Sequence, residues 1–329
     1  MSDVIRVIQF GLGSIGCATA RLVAERENLE LVGAVDIHPD KIGRDAGEVI
    51  GLGRTLGIAV APRLGEVGAE ADVVLHTTSS YFDQFLGQVL EILEAGLDVV
   101  STSEELSFPW THNAEPAATV DAAARKAGKT VLGTGVNPGF LMDSLPLFIT
   151  AISQRVDHIA VARVIDASKR RGPFQAKIGC GMTEDEFRRK MAEGRMGHVG
   201  LPESAAMLFD TLGRELVRFE NTVEPVLATE PVKTEFFDVP AGRVRGLHQT
   251  GRAYGAGGEF VSLTFRAALD EAPDGDTITI SGRPELTVRL QGTNGDLTTV
   301  AMAVNAIRRT KSAAPGLVTM RDIPIVTAS

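Results

Sequence analysis

The sequence is short of cysteine, of positive charge, of paired histidines and of long apolar runs, and each shortage excludes something. Two cysteines, Cys17 and Cys180, occur among 329 residues. They are too few for a disulfide framework and suit a reducing compartment, so the expected address is the cytoplasm. A formal net charge of -9 at pH 7 argues against nucleic acid as a partner, because phosphate backbones draw affinity from clustered Lys and Arg. No stretch approaches the roughly 20 apolar residues that a membrane span needs, and the first residues run into a strand rather than into a basic and then apolar leader. The six histidines include no pair three or four apart, so no metal-binding helix face is expected. Internal repeats and low-complexity tracts are missing as well.

What is present is a 44% hydrophobic chain long enough for two joined units. Apolar, β-branched runs at 4–10, 29–35, 72–77, 98–101 and 130–133 read as buried strands, and segments 15–27, 81–95 and 115–127 between them carry helical spacing. Strands alternating with helices imply a parallel sheet covered on both faces, with ligands outside the carboxyl ends of the strands. After Gly139 the texture changes. Longer strands at 158–165, 259–268, 276–281 and 285–290, helix-like stretches at 183–193 and 203–209, and loops rich in glycine and charge read as a second α+β domain with a mixed or antiparallel sheet. A helix at 297–308, followed by Pro315-Gly316-Leu317, closes the chain. The expected division is 1–138 for the first domain, 139–296 for the second, and a closing segment 297–329 packed back on the first.

The first strand ends in Gly11-Leu12-Gly13-Ser14-Ile15-Gly16, and an acid, Asp36, lies twenty positions beyond the last of these glycines. A glycine hexapeptide alone is weak. One that follows a strand, opens a helix and precedes an acid at this spacing is the dinucleotide-binding fingerprint of a Rossmann fold. Gly11 permits the tight turn, Gly13 clears the pyrophosphate, and Gly16 lets helix and strand approach. Asp36 would accept hydrogen bonds from the adenosine ribose and so favours NAD. His38 and Lys41 stand close enough in sequence to offset a 2'-phosphate, which leaves NAD and NADP both open. Thr77, Thr78 and Ser79 end the strand that contains His76 and would face the cofactor ribose and nicotinamide, although small hydroxyl residues also commonly cap the next helix.

The strand at 98–101 ends in Ser101-Thr102-Ser103-Glu104-Glu105-Leu106, with Ser101 and Thr102 expected beside the cofactor. Two carboxylates therefore stand at the carboxyl edge of the sheet. A half-buried carboxylate exchanges protons near neutrality, as a general base must, whereas a Glu in a first helical turn is also ordinary dipole chemistry. Glu104 is preferred for the chemistry, being closer to the strand end, with Glu105 as the fallback. The strand at 130–133, counted as the sixth, closes into Gly133-Thr134-Gly135-Val136-Asn137-Pro138-Gly139-Phe140. There Asn137 would hydrogen-bond a carboxamide or substrate amine, and Pro138 and Phe140 would line an apolar wall. Arg163, the run Lys169-Arg170-Arg171 and His198 are further pocket candidates, the run and His198 each with a plain structural reading beside it. Cys17, on the first helix, reads as packed rather than reactive.

The combination GLGSIG, STSEEL, GTGVNPGF with Leu141-Met142-Asp143, and the closing PGLVTMRDIP resembles the dihydrodipicolinate reductase-like superfamily, and within it the 2,4-diaminopentanoate dehydrogenases and native amine dehydrogenases. The resemblance implies a doubly wound Rossmann domain, a second domain whose open mixed sheet makes a homodimer, a cofactor-bearing cleft between them, and a last helix that returns to the first. It departs from true dihydrodipicolinate reductases, which carry a His-His-Arg-His-Lys run where this chain reads Ile165-Asp166-Ala167-Ser168-Lys169-Arg170-Arg171. Sugar-type oxidoreductases would show Glu-Lys-Pro where Ser103-Glu104-Glu105 stands. In amine dehydrogenases a glutamate at this strand end is the acid/base, which by resemblance falls on Glu104.

The expected activity is thus NAD(P)-dependent oxidative deamination of an amine, or reductive amination of a ketone with ammonia. The alternative is 2,4-diaminopentanoate dehydrogenation, in which Arg163 or the 169–171 run would bind the substrate carboxylate. An imine or enamine reductase of the dihydrodipicolinate type and a non-catalytic dinucleotide sensor are lesser readings.

Overall fold

The computed structural model describes residues 4–194 and 196–328; the outermost ends of the expected domains, 1–3 and 329, lie outside them. The chain opens with β1 (Ile5–Phe10), α1 (Ser14–Glu25), β2 (Leu29–Val35), a short α2 (Ala46–Val49), β3 (Val73–His76), α3 (Phe82–Glu94), β4 (Asp98–Ser101), α4 (Ala114–Ala127) and β5 (Thr130–Gly133). It continues through α5 (Ser144–Thr150), β6 (Arg155–Asp166), α6 (Gly172–Lys177), α7 (Glu184–Ala192), α8 (Leu201–Thr211), β7 (Arg218–Leu227), β8 (Val232–Lys233), β9 (Asp238–Val239), β10 (Val244–Gly255), β11 (Gly258–Ala268), β12 (Gly275–Arg283) and β13 (Leu286–Leu290). It ends with α9 (Gly295–Lys311) and β14 (Gly316–Val318). Two compact units result, one made of 1–140 with 294–329 and the other of 141–293.

The first unit is built on a six-stranded sheet in the order β14-β5-β4-β3-β1-β2, parallel throughout. Strand residues alternate between two apolar layers. Val7, Leu75, Val100 and Leu132 meet α1 and α9 on one face, while Ile8, Val74, Val99 and Val131 meet α3 and α4 on the other. Burial on both faces is why these strands are continuous apolar runs in the sequence. The order reverses between β1 and β3, whose carboxyl ends form the switch point at which such sheets place a ligand. The turn with the paired acids follows the fourth strand of the chain, and Thr130–Gly133 is the fifth rather than the sixth.

The second unit carries a mixed six-stranded sheet, β13-β12-β6-β11-β10-β7, in which β6 and β11 run parallel and the other neighbours antiparallel. Along β6 only alternate residues are buried, and Ile159, Val161 and Ile165 join a core with Ala205, Leu208 and Phe209 of α8 and Phe187 of α7. Ala160, Ala162, Ser262, Thr264, Thr277 and Thr279 on the opposite face are all half-exposed. The sequence reading passes over β7 and β10, and over the short helices α5 and α6. In β10 the misleading signal is glycine: a Cβ on Gly246 would stand 2.1 Å from the Ala267 carbonyl oxygen, so that glycine marks a close approach to β11 and not a turn. In β7 it is Pro225, tolerated because β7 is an edge strand.

Candidate active site

At the end of β1 the backbone turns through Gly11 at φ +90, where an added Cβ would lie 2.7 Å from the Thr77 carbonyl oxygen. Gly16 closes the loop on itself. Its Cβ would be 1.9 Å from the Gly11 carbonyl oxygen and 2.6 Å from the Thr77 hydroxyl, so the approach it permits is to the loop and β3. Gly13, the N-cap of α1, meets nothing within 4 Å and no side chain caps the helix. A twelve-residue helix thus begins with its N-cap residue uncapped by a side chain and with open space at Gly13, the setting a pyrophosphate cradle requires. Leu12 is buried, Ser14 exposed and Ile15 half-buried. Gln9, which sequence reasoning passes over, ties this loop to β3. Fully buried, it donates through Nε2 to the Gly11 carbonyl (3.0 Å) and Thr77 Oγ1 (2.8 Å), and accepts from Thr19 Oγ1 (2.7 Å). A polar residue within the apolar run IRVIQF is the one signal of it in the sequence.

Asp36, just past β2, reaches back to the loop. Its carboxylate accepts from the Leu12 N–H (2.7 Å), the His38 N–H (2.8 Å) and Lys41 Nζ (3.0 Å), and the same ammonium donates to the Leu12 carbonyl (3.0 Å). Burial would raise this carboxyl's pKa, but the bonds from His38, Lys41 and Leu12 outweigh it and hold the group below its ordinary range. Of the two bases considered from sequence, Lys41 is thus paired with Asp36, while the His38 ring turns to Asp40 (3.8 Å). Cys17 donates its thiol to the Leu12 carbonyl (3.1 Å), and burial pushes its pKa up.

The segment 77–79 is also engaged. Thr77 Oγ1 donates to the Gly11 carbonyl (3.0 Å), Thr78 Oγ1 to Gln88 Oε1 (2.7 Å), and Ser79 Oγ to Gln84 Oε1 (2.6 Å) while accepting the Tyr81 N–H (3.2 Å). Ser79 therefore serves the entry to α3, as small hydroxyl residues often do.

Beyond β4 the two acids part. Glu104 and Glu105 open a 3-10 turn, Glu104–Leu106. Glu105 Oε2 accepts the Phe82 N–H at 2.6 Å, capping α3, whose own N-cap residue Tyr81 supplies no side-chain bond. The Glu105 N–H in turn donates to the Ser80 carbonyl (3.2 Å). Glu104 is half-buried at the same edge. The turn is seated against β5, since a Cβ on Gly133 would meet the Leu106 carbonyl carbon at 2.4 Å and the Ser107 nitrogen at 2.7 Å. Ser101, expected at the cofactor, is fully buried instead, and its Oγ stands 2.9 Å from His76 Nδ1, 3.0 Å from Ser103 Oγ and 3.1 Å from the Ser103 nitrogen. Thr102 is half-buried and donates its N–H to the His76 carbonyl (3.0 Å). Burial takes the His76 pKa down to about 4, against the opposing bond to Gln88, so the ring is neutral.

In the loop after β5, Asn137 and Phe140 are half-buried and Pro138 is buried. The second unit holds the remaining candidates. Arg163 is not available to a substrate carboxylate: its side chain is 3% exposed, pairs with Asp276 at 3.2 Å across β6 and β12, and donates to the Thr293 carbonyl at 2.9 Å. Burial pushes the Asp276 carboxyl up, against the pull of Arg163 and a bond from the Thr293 hydroxyl. Lys169 pairs with Asp166 (3.2 Å), and Arg170 lies over the Phe174 ring (4.5 Å). His198 stacks on Phe265 with centroids 4.7 Å apart, and its N–H donates to Gln249 Oε1 (2.6 Å). Among the described residues no group of three His, Cys, Asp or Glu is placed to hold a metal, and no helix is long and apolar enough to cross a membrane.

Comparison with known proteins agrees with this arrangement. Residues 5–103 match the model of the dihydrodipicolinate reductase N-terminus, and residues 140–329 that of the 2,4-diaminopentanoate dehydrogenase C-terminal domain. A 2,4-diaminopentanoate dehydrogenase of Acetoanaerobium sticklandii is 30% identical, over 99% of this chain and 95% of its own. An amine dehydrogenase of Streptomyces virginiae is 26% identical, over 98% and 97%. The solved structure of an amine dehydrogenase from Mycobacterium smegmatis shares the fold, with a TM-score of 0.87 at 24% identity over 98% and 97% of the two chains. The resemblance seen in the motifs therefore holds along the whole length, and the chain belongs to the 2,4-diaminopentanoate dehydrogenase family.

Proposed function

We propose that this chain catalyses the reversible oxidative deamination of a small amine, with reductive amination of a ketone by ammonia as the reverse reaction. As a member of this family it is an oxidoreductase acting on CH–NH2 donors with NAD or NADP. The residues fit a dinucleotide, since α1 begins without a side-chain cap, Gly13 leaves its cradle open and Asp36 stands beside the loop. When bound, the cofactor supplies the hydride acceptor. One observation carries the reading of the acid/base: of two adjacent carboxylates at this sheet edge, Glu105 is committed to α3 and Glu104 is carried, half-buried, at the start of a seated turn.

We therefore assign the acid/base to Glu104. As a carboxylate it holds the substrate ammonium by a charge-assisted hydrogen bond and takes a proton from it, freeing the nitrogen lone pair that expels hydride from the neighbouring carbon. Once that proton has passed to solvent, the regenerated carboxylate stabilises the cationic imine and accepts a proton from the water that adds to it. Asn137, Pro138 and Phe140 would shape the substrate pocket. Substituting Glu104→Gln keeps the shape and removes the base. Turnover should fall at least about a hundredfold while dinucleotide affinity stays within about twofold, and a parental rate would refute the assignment.

The name of the 30% identical relative favours a second reading, a diamino acid substrate. With Arg163 sealed against Asp276, the 169–171 run would have to bind its carboxylate. Rates on a plain alkylamine and on the matching diamino acid separate the two readings, since an absolute need for the carboxylate selects the second. We also read residues 139–296 as the substrate and dimerisation domain of a cytoplasmic homodimer and 297–329 as part of the first domain. The half-exposed sheet face around Ala160 and Thr264 supports the dimer, and sedimentation equilibrium tests it.

A further inference from the structure

A histidine at the end of a buried strand is a costly choice. His76 is fully buried, and its ring packs between Phe10 and Phe85, with centroids 5.7 Å and 6.1 Å away, where an apolar side chain would need no partners. Both ring nitrogens are nevertheless satisfied. Nε2 lies 2.8 Å from Gln88 Oε1 on α3, and Nδ1 lies 2.9 Å from Ser101 Oγ at the tip of β4. With Gln88 Oε1 accepting, Nε2 carries the proton and Nδ1 accepts from the Ser101 hydroxyl. Ser101 Oγ then has lone pairs free to accept the Ser103 N–H at 3.1 Å. The Ser103 N–H thus donates to Ser101, Ser101 to His76 and His76 to Gln88, with the Ser103 hydroxyl 3.0 Å from Ser101 Oγ and the Thr78 hydroxyl 2.9 Å from His76 Nε2 completing the cluster. Ser103 is also the N-cap of the turn Glu104–Leu106, and its carbonyl accepts the Leu106 N–H at 3.1 Å.

We propose that His76 is a positioning residue for the acid/base turn, fixing Ser101 so that Ser101 fixes Ser103 and, through it, the backbone that carries Glu104. The proposal rests on the reading of Glu104 as the acid/base. None of the groups in the relay need touch substrate. The ring stays neutral at any pH at which the enzyme would be assayed, so the relay supplies geometry and not charge.

Three substitutions test it, with hydrogen exchange of the amides of residues 103–106 measured beside kinetics. Ser101→Ala removes one oxygen and leaves the packing intact. His76→Asn keeps a polar group near the Nδ1 position, and His76→Gln one near the Nε2 position; Asn is the smaller by one methylene, so lost packing alone would make His76→Asn the worse of the two. Ser101→Ala and His76→Gln should speed exchange in the turn and lower kcat about tenfold to a hundredfold, the range expected of a catalytic group displaced by an ångström. Dinucleotide Kd should stay within about twofold, as expected for an effect confined to the reacting geometry. His76→Asn should recover most of the loss. Equal defects in the two His76 variants, or slow exchange and parental kcat in Ser101→Ala and His76→Gln, would overturn the proposal. Slow exchange with reduced kcat would overturn it as well, since the effect would then not pass through the turn. Faster exchange with parental kcat would uphold the positioning and sink the role of Glu104.

Discussion

Lys41 shows how one side chain bears on cofactor choice. An unopposed carboxylate at the end of β2 would repel a 2'-phosphate, but the Asp36 carboxylate already accepts the Lys41 ammonium at 3.0 Å and two backbone N–H groups. Lys41→Ala should therefore uncover the charge. The expected result is a roughly three- to tenfold loss of affinity for NADP relative to NAD, shrinking as salt is added, with titration calorimetry of both dinucleotides as the check. Asp36 and the glycine loop were readable because strand, hexapeptide and acid keep a fixed spacing. Gln9 and His76 were not, because what matters about them is their partners: Thr77 is 68 positions from Gln9 and Ser101 is 25 from His76. The same holds for Arg163, whose neutraliser Asp276 lies 113 positions away. Glu105 illustrates the limit from the other side, since two adjacent acids look alike until the end of α3 is seen to need one of them. Glu105→Ala should lower stability by about 0.5–2 kcal/mol, the cost of a lost cap, measured by thermal unfolding.

At the scale of elements, the helix-opening loop separates folding from binding. A methyl at Gly16 would overlap the Gly11 carbonyl, whereas one at Gly13 would enter open space with the backbone at an unstrained φ of -65. Gly16→Ala should thus lower the melting temperature of the free protein. Gly13→Ala should melt as the parent does and bind dinucleotide at least about tenfold more weakly, because the methyl occupies the pyrophosphate cradle. The elements of the first unit were legible because a strand buried on both faces is written as an unbroken apolar run. Those of the second were partly hidden, because strands with one half-exposed face mix Gly, Pro and charge into the pattern, as β7 and β10 do.

For the molecule as a whole, the buried imidazole sets an acid limit. His76 has a folded pKa of about 4 against an ordinary 6.5, so below 6.5 the unfolded chain binds a proton that the folded chain refuses. The stability tied to this group is complete above about pH 6.5 and drains away as pH falls toward 4, by about 1.4 kcal/mol per pH unit within that window. Asp72, held below its ordinary range by Arg6 and Lys311 against the raising effect of burial, keeps its contribution until the pH is lower still. Denaturant melts from pH 7 to 4.5 should therefore show a slope that His76→Asn largely removes; an equal slope in both proteins would place the acid sensitivity elsewhere.

Because β14 pairs with β5 while α9 lies against α1 and β4, the first sheet is assembled from segments made before and after the whole of the second unit. A ribosome therefore releases its opening five strands long before their last neighbour exists, whereas residues 141–293 leave it as one uninterrupted stretch. The early-made half must wait, with the edge of β5 and the α9-facing side of its sheet uncovered, and is the portion most in need of chaperone cover during synthesis.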